Sequence, residues 1–508
     1  MRLKILTLVA LVSTGFLLQA QDGVLTAEKL WKMGRVSDVQ LSPDGKDVLY
    51  GVTRYDLDKN SGDRDLFIMK ANAESPIQLT DFKGSEYNGI WRPDGEKIGF
   101  IATKGGSPQI WEMNPDGTDK EQITDIEGGV TGFSYSPDMS RILYTKNVKL
   151  DKTPQEIHDD LPNTNVRIID ELMYRHWDEW HDYKYSHIFV AAYKDGAIGE
   201  STDIMKGERY DAPTQPWGGM KEIDWSPDGK TIAYTCKKLT GKEYSKSTNS
   251  EIYLYNIESG NTRNLTEAGY KGYDKEPTFS PDGSKLVWWS METPGFESDK
   301  QRIILYDFEK EEFRDLSKGF DQSSSHFHWG KKGDKLFFTS GIEATYQIYL
   351  YDFGNNEIQQ ITEGVHNYQE IQPAGDHIVA SRMTMSMPTE IYNVDMSGKA
   401  SQLTFTNKEL LDAYSTDESI FSVRPQIIIA PKTVEDIKIA VKTLMAHTNT
   451  FPALSLTPRS AGTGLSGGSL TDSIVIDMKK YLNHLGDYDD TTKTITCAPG
   501  IMFPVVEN

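Results

Sequence analysis

The feature that most restricts the fold of this chain is a turn motif that recurs between residue 40 and about residue 405. Most copies place Pro, Asp and Gly in a tight turn, and an alternating apolar run follows, as expected for a half-buried strand. Clear copies are LSPDGKDVLYGV from Leu41, WRPDGEKIGFIA from Trp91, YSPDMSRILYTK from Tyr135, WSPDGKTIAYTC from Trp225 and FSPDGSKLVWWS from Phe279, and weaker ones begin at Trp329 and Gln372. The chain is therefore built from repeated strand pairs.

Each turn motif is followed by a second strand and an exit segment that ends in Thr or Ser, as in EIYLYNIESGNTRNLT, which ends at Thr266. Most spacings between copies are 42 to 54 residues, the size of a four-stranded propeller blade. Seven first halves and seven second halves predict a mainly β protein with a seven-bladed β-propeller over residues 21–410. The long gap from Ser136 to Ser226 predicts one blade plus an insertion of about forty residues.

The N-terminal sequence and the composition restrict the cellular location and the partners of the chain. Residues 1–20 have a basic start, an apolar core and a small residue at Ala20, which predicts a signal peptide and an exported, periplasmic or secreted protein. No later stretch is apolar enough for a membrane span. The net charge of −21 argues against a nucleic-acid partner. Cys236 and Cys497 fall in different predicted domains, so a disulfide is not expected.

The pattern changes near residue 411, where a compact α/β (α+β) unit is predicted over residues 411–508. QIIIA (Gln426–Ala430) indicates a buried strand, and PKTVEDIKIAVKTLMAH indicates a helix with Thr433 as its N-cap and an apolar face. Three more strands are predicted in ALSLT, SIVIDM and TKTITCAPG. Strands and a helix therefore flank the glycine-rich stretch from Pro458 to Ser469.

That stretch matches two unrelated motifs. Gly464 to Gly468 fits the G-x-S-x-G of a hydrolase nucleophile, and Gly462 to Gly467 fits the G-x-G-x-x-G of dinucleotide-binding turns. Both motifs require a helix directly after the loop, whereas SIVIDM predicts a strand. A glycine-rich loop between two strands can instead present backbone N–H groups to a pyrophosphate. We therefore expect no catalytic nucleophile at Ser466.

The W-x-PDG turns, the order of the blades and NVRIIDELMYRHWDEWHDYKYSHIFV make residues 22–410 resemble the propeller of secreted bacterial dipeptidyl-peptidases of the prolyl oligopeptidase family. The resemblance implies a propeller that restricts entry to short peptides, with the Ser, Asp and His of catalysis in a separate hydrolase domain. It also implies acidic residues of an insertion that hold a peptide amino group. Asp178 and Glu179 are the candidates, with a solvated, locally packed loop as the alternative.

The pieces YSTDESIFSVRPQIIIAPKTVEDI, PRSAGTGLSGGS, SIVIDM and APG make residues 414–508 resemble the first half of the FAD-binding domain of the vanillyl-alcohol oxidase and D-lactate dehydrogenase family. The resemblance implies FAD as cofactor, bound through a pyrophosphate loop. The corresponding residues are Arg459, Ser460, Ala461, Gly462, Thr463, Gly464, Leu465, Ser466, Gly467 and Gly468. Ser460 departs from the family, which usually has Gly there. The alternative is a glycine-rich turn in an unrelated small unit.

Two functions follow as hypotheses for a chain that joins both resemblances. One is FAD binding by an incomplete flavin-dependent oxidoreductase domain. The other is peptide binding or a scaffold role for a peptidase-type propeller, which we expect to have no peptidase activity. We expect no catalytic triad and no metal site, because His176 and His181 lack zinc-helix spacing. Peptide preference, enzyme activity and oligomeric state stay open.

Overall fold

A computed structural model describes residues 27–71, 75–384, 387–407, 425–447, 449–460 and 470–500. Seven four-stranded antiparallel sheets follow one another along the chain to residue 402, which confirms the predicted seven-bladed propeller. The strands of the first four blades are β1 Arg35–Leu41, β2 Asp47–Asp56, β3 Ser61–Lys70, β4 Ile77–Gln78, β5 Tyr87–Trp91, β6 Ile98–Ala102, β7 Gln109–Met113, β8 Glu121–Gln122, β9 Gly132–Tyr135, β10 Arg141–Lys149, β13 Lys184–Lys194, β14 Ala197–Asp203, β15 Ile223–Trp225, β16 Thr231–Cys236, β17 Glu251–Asn256 and β18 Thr262–Asn264. Between β10 and β13, β11 Arg175–His176 and β12 Glu179–Trp180 form a separate two-stranded sheet.

Each of the last three blades is a four-stranded antiparallel sheet made of consecutive strands. Their strands are β19 Asp274–Phe279, β20 Lys285–Ser290, β21 Arg302–Asp307, β22 Glu312–Asp315, β23 Ser324–Trp329, β24 Lys335–Ile342, β25 Thr345–Asp352, β26 Glu357–Gln360, β27 Asn367–Pro373, β28 His377–Thr384, β29 Met387–Asp395 and β30 Ala400–Gln402. Short helical segments are α1 Ala27–Lys32, α2 Pro154–Ile157, a 3₁₀ turn at Met220–Glu222 and α3 Gly241–Lys246.

The recurring turn works as its residues predict. In the first copy the Ser42 hydroxyl donates to Asp44 Oδ1 (2.7 Å) and accepts from the Asp47 backbone N–H (2.9 Å). Gly45 has φ +75°, a region that side chains disfavour, and its N–H donates to the Ser42 carbonyl (2.8 Å). This local chemistry joins the innermost strand of the blade to the next one.

The core of the propeller lies between the blades. Each of seven clusters of buried apolar side chains in the described residues draws on two neighbouring blades, and one of them joins the first blade to the last. Polar contacts reinforce that closure: the Asn407 side chain pairs with the Gly34 backbone, and Glu370 accepts from the N–H groups of Asp38 and Val39. Side-chain packing therefore closes the ring.

The C-terminal unit has a three-stranded parallel sheet in the order β31-β33-β32, from β31 Ile427–Ile429, β32 Leu456–Arg459 and β33 Ile474–Asp477. Helix α4 (Val434–Ala446) follows β31, and Thr433 caps it as predicted, accepting from the Asp436 N–H at 3.2 Å. Strand β32 begins three residues later than predicted. The hairpin of β34 (Leu485–Asp489) and β35 (Thr494–Cys497) was predicted only for its second strand, because LGDYD lacks an apolar pattern.

The two cysteines do not form a disulfide in the structure. Cys236 and Cys497 are both free thiols, the first buried and the second exposed. In the described part of the chain, no helix has the length and apolar character needed to cross a membrane. The predicted signal peptide and the predicted boundary near residue 410 lie outside the described residues, so both stay predictions.

Candidate functional site

The predicted insertion is residues 150–183, between β10 and β13 of the third blade. It covers a cleft of about 870 Å³. The cleft is lined by residues 167–176 and 179–183 of the insertion, by the first two residues of β13, and by residues within the segments 147–157, 209–216 and 237–244. We call this space the insertion cleft. It is large enough for a short peptide, since ligand pockets usually measure about 300–1,000 Å³.

The structure separates the two acidic residues that the sequence put forward. They sit on a short hairpin in which β11 pairs with β12. Glu179 lines the cleft, whereas Asp178 lies at the hairpin turn and does not. Trp177 at the same turn is 71% exposed and packs edge-on against Trp217 with ring centroids 6.3 Å apart. Asp178 and Glu179 therefore do not form one acidic pair in the cleft.

Aromatic side chains make up much of the cleft wall. The Arg167 guanidinium lies 4.7 Å from the centroid of the Trp180 ring, and Trp180 stacks on Tyr174 at 6.0 Å. On the opposite side, the Tyr185 hydroxyl donates to Asp151 Oδ2 at 2.7 Å. Such aromatic faces attract cations and give rigid apolar contact area.

The acidic group on the floor of the cleft is Asp211, which sequence reasoning missed. Its Oδ1 accepts from the Ser186 backbone N–H at 2.8 Å, and its Oδ2 has no hydrogen bond or ion pair among the described residues. Burial raises the pKa of Asp211 to about 6, against hydrogen bonding to Ser186 and the fields of His181 and His187, which lower it. At neutral pH the cleft floor therefore holds a carboxylate with one free oxygen.

Below the floor, a buried ion pair ties the third blade's exit segment to the fifth blade. The Thr214 N–H donates to Glu222 Oε2 at 2.7 Å, and Lys275 Nζ on β19 lies 3.0 Å from Glu222 Oε1. Glu222 is 1% exposed. Because a buried pair loses much when one partner is removed, this contact fixes the segment that carries Asp211.

The second candidate site is the glycine-rich loop. Arg459 is the last residue of β32 and Ser460 follows it, whereas Ala461 to Gly468 lie outside the described residues. Strands β32 and β33 are parallel neighbours, with Arg459 opposite Asp477. The loop therefore leaves the sheet at the carboxyl end of a parallel strand, the edge where α/β sheets bind nucleotides.

The residues present at that edge fit an FAD pyrophosphate chemically. Arg459, the last residue of β32, carries a guanidinium of the kind that binds phosphate, and the glycines that follow it in the sequence, outside the described residues, have no side chain to keep a phosphate away from their backbone N–H groups. For metals, the described residues contain no group of three or more His, Cys, Asp or Glu side chains placed to hold an ion. His181 is occupied locally, since its Nδ1 accepts from the Tyr183 N–H at 3.1 Å.

Comparison with known proteins gives two family matches. The family model described as TolB beta propeller domain matches residues 31–176 and 220–423, and the model described as FAD binding domain matches residues 425–508. Among curated proteins, dipeptidyl-peptidase 5 of Porphyromonas gingivalis is 41% identical over 76% of this chain and 57% of its own length. Dipeptidyl-peptidase 5 of Aspergillus fumigatus is 25% identical over 62% of this chain and 47% of its own.

Solved structures show the same fold. An acylaminoacyl peptidase of Pyrococcus horikoshii aligns with a TM-score of 0.60 at 18% identity, covering 80% of this chain and 62% of that one. An acylaminoacyl peptidase in complex with a chloromethyl ketone aligns at 0.58 and 17% identity, covering 75% and 54%. This chain thus spans about half to three fifths of the length of these relatives. The dipeptidyl-peptidase propeller and the flavin-domain match are the two resemblances found in the sequence, and both are confirmed.

Proposed function

Since this chain belongs to the TolB beta propeller domain family, we propose that its propeller binds the amino-terminal end of short peptides in the insertion cleft. The observation that carries the proposal is Asp211, a carboxylate on the cleft floor with one oxygen free of partners. The proposal is supported by the relatives named dipeptidyl-peptidase 5, whose name describes action at peptide ends.

The chemistry of the two partners matches over a narrow pH range. A peptide α-amino group has a pKa of about 8 and is an ammonium below it. Asp211 has a pKa of about 6 and is a carboxylate above it. Both groups are therefore more than half charged between roughly pH 6 and pH 8, with the ion pair most populated near pH 7, and the tyrosines around the cleft add cation–π attraction. Glu179 at the cleft wall supplies a second negative charge.

The test is calorimetric titration of the intact chain with alanyl-alanine amide and with its N-acetylated form. We expect the free amine to bind at least about tenfold more tightly, because a hydrogen bond between charged groups contributes about 1.5–3 kcal/mol. Asp211→Asn keeps an acceptor for the Ser186 N–H and loses the charge, so it abolishes that preference. Asp178→Asn, at the exposed hairpin turn, is the control and leaves it unchanged. Equal binding of the two peptides would refute the proposal.

We propose a second activity for residues 411–508, namely FAD binding through Arg459 to Gly468. It is supported by the family match and by a loop that starts at the carboxyl edge of the parallel sheet. Arg459 would neutralise a phosphate, and the loop N–H groups would donate to the pyrophosphate oxygens. Bound FAD would supply redox chemistry, which the described residues do not provide themselves. We also propose that the chain is exported and that its two units meet between residues 410 and 411.

Titration of the intact chain with FAD, followed by flavin fluorescence, tests this activity. Gly464→Val adds a branched side chain to the loop, and we expect it to weaken binding at least about tenfold. Ala453→Val changes an exposed residue of the same unit and serves as the control. Equal affinity of both variants would show that the loop does not hold the cofactor.

A further inference from the structure

His187 lies on β13, two residues after Tyr185 of the cleft wall, and is completely buried. Its Nδ1 is 2.9 Å from Asp203 Oδ2, and its Nε2 is 2.8 Å from the Glu208 backbone carbonyl oxygen. Both neighbours are hydrogen-bond acceptors. A neutral imidazole carries one N–H and would face the second oxygen with a lone pair, so only the imidazolium satisfies both contacts.

These contacts hold a specific piece of chain. Asp203 ends β14 and Glu208 lies five residues later, so His187 ties both ends of the segment 203–208 to β13. The segment continues directly to Asp211 and Ala212, which bond to the backbone N–H and carbonyl of Ser186, the residue beside His187. Ordering of the segment and placement of Asp211 on the cleft floor are therefore coupled.

We propose that His187 is a pH-dependent clamp, whose imidazolium form holds the segment 203–211, and with it Asp211, in the floor of the insertion cleft. Loss of the proton removes one of the two bonds and frees one end of the segment. The clamp is a property of the fold. It rests on the proposed function only in assigning the cleft to peptides.

The electrostatic surroundings agree with this direction. Burial alone lowers the pKa of His187, but the hydrogen bond and charge of Asp203, the Glu208 carbonyl and the charge of Asp211 outweigh it, so the pKa lies above its ordinary value. The ionisable groups around the ring are Asp203 on β14, Asp211 and the Glu208–Lys238 ion pair on the segment side, and Lys146, opposite His187 on β10. The clamp is complete below about pH 6.5 and is lost as the pH rises through the raised folded pKa.

The test measures hydrogen exchange of amides 204–212 in the intact chain, corrected for the intrinsic pH dependence of exchange. A series from about pH 7 to pH 9.5 lies above the pKa of Asp211, which is about 6, and needs no peptide. We expect protection to fall about tenfold across the series, the equivalent of one hydrogen bond to a charged group. His187→Gln should show the low protection at every pH. His377→Gln on the seventh blade is the matched control, because His377 also pairs with an aspartate, Asp376, at 2.9 Å.

Histidine-selective NMR of the wild-type chain gives a reading that does not depend on the variant folding. A His187 ring that is neutral at pH 6.5, protection that is constant across the series, or a pH-dependent fall that persists in His187→Gln would each overturn the clamp. A pH-dependent fall without any peptide binding would leave the clamp standing and refute the proposed peptide site alone.

Discussion

The closure of the propeller predicts a large effect for Asn407→Ala. Asn407 is 4% exposed, its Oδ1 accepts from the Gly34 N–H at 2.8 Å, and its Nδ2 donates to the Gly34 carbonyl at 3.0 Å. The truncation removes both bonds and leaves two buried backbone groups without partners. At about 1–2 kcal/mol for each group, we expect a loss of about 2–4 kcal/mol in the free energy of unfolding of the propeller.

Urea denaturation of the intact chain measures the loss, and hydrogen exchange locates it. A chain with several units need not unfold in one step, so the exchange data are needed to assign the change. We expect faster exchange in β1 and in β29 and β30, with little change in the middle blades. Asn355→Ala, at an exposed turn of the sixth blade, is the control and should stay within about 0.5 kcal/mol of wild type. Equal losses in both variants, or faster exchange spread evenly over all blades, would refute the closure argument.

Three further outcomes are expected. A thiol reagent should modify Cys497 quickly and Cys236 only on unfolding, because burial raises the pKa of Cys236 and denies the reagent access; two fast thiols would contradict the fold. Lys275→Met should cost about 3–5 kcal/mol in a melting series by leaving the buried Glu222 carboxylate without a counter-charge, and adding Glu222→Gln should recover part of the loss. Burial raises the pKa of Glu86 to about 8, so wild-type stability should fall as the pH rises from about 4.5 to 8, and Glu86→Gln should flatten that fall.

The propeller could be predicted because its information is local. Most blades begin with a turn in which a Ser hydroxyl, an Asp carboxylate and backbone N–H groups form hydrogen bonds within five residues, while Pro presets the backbone angle, and a strand of period two follows. Seven repetitions then fix the architecture, since a single blade cannot bury both of its faces. The insertion was also located by sequence, because it interrupts an otherwise regular spacing between copies.

The cleft floor could not be predicted in the same way. Asp211 lies in KGERYDAPTQPW, which carries no motif, and its position depends on how the segment after β14 folds back onto Ser186. The sequence favoured Asp178 and Glu179 because they stand among tryptophans. The hairpin geometry, however, puts only Glu179 into the cleft. The contact between residues 186 and 211 depends on the tertiary fold, and no local sequence pattern indicates it.

The glycine-rich stretch shows what a local pattern can decide. Both G-x-S-x-G and G-x-G-x-x-G need a helix after the loop, and the sequence predicted a strand there instead. The structure has β33 at Ile474–Asp477, parallel to β32 and paired with it from Leu456 to Arg459, so the strand after the loop is confirmed. A parallel pair sends its connection out at the carboxyl edge and back in at the amino edge, across the sheet. A strand after the loop agrees with a phosphate-binding loop and disagrees with a nucleophile elbow, in which a helix directly follows the serine.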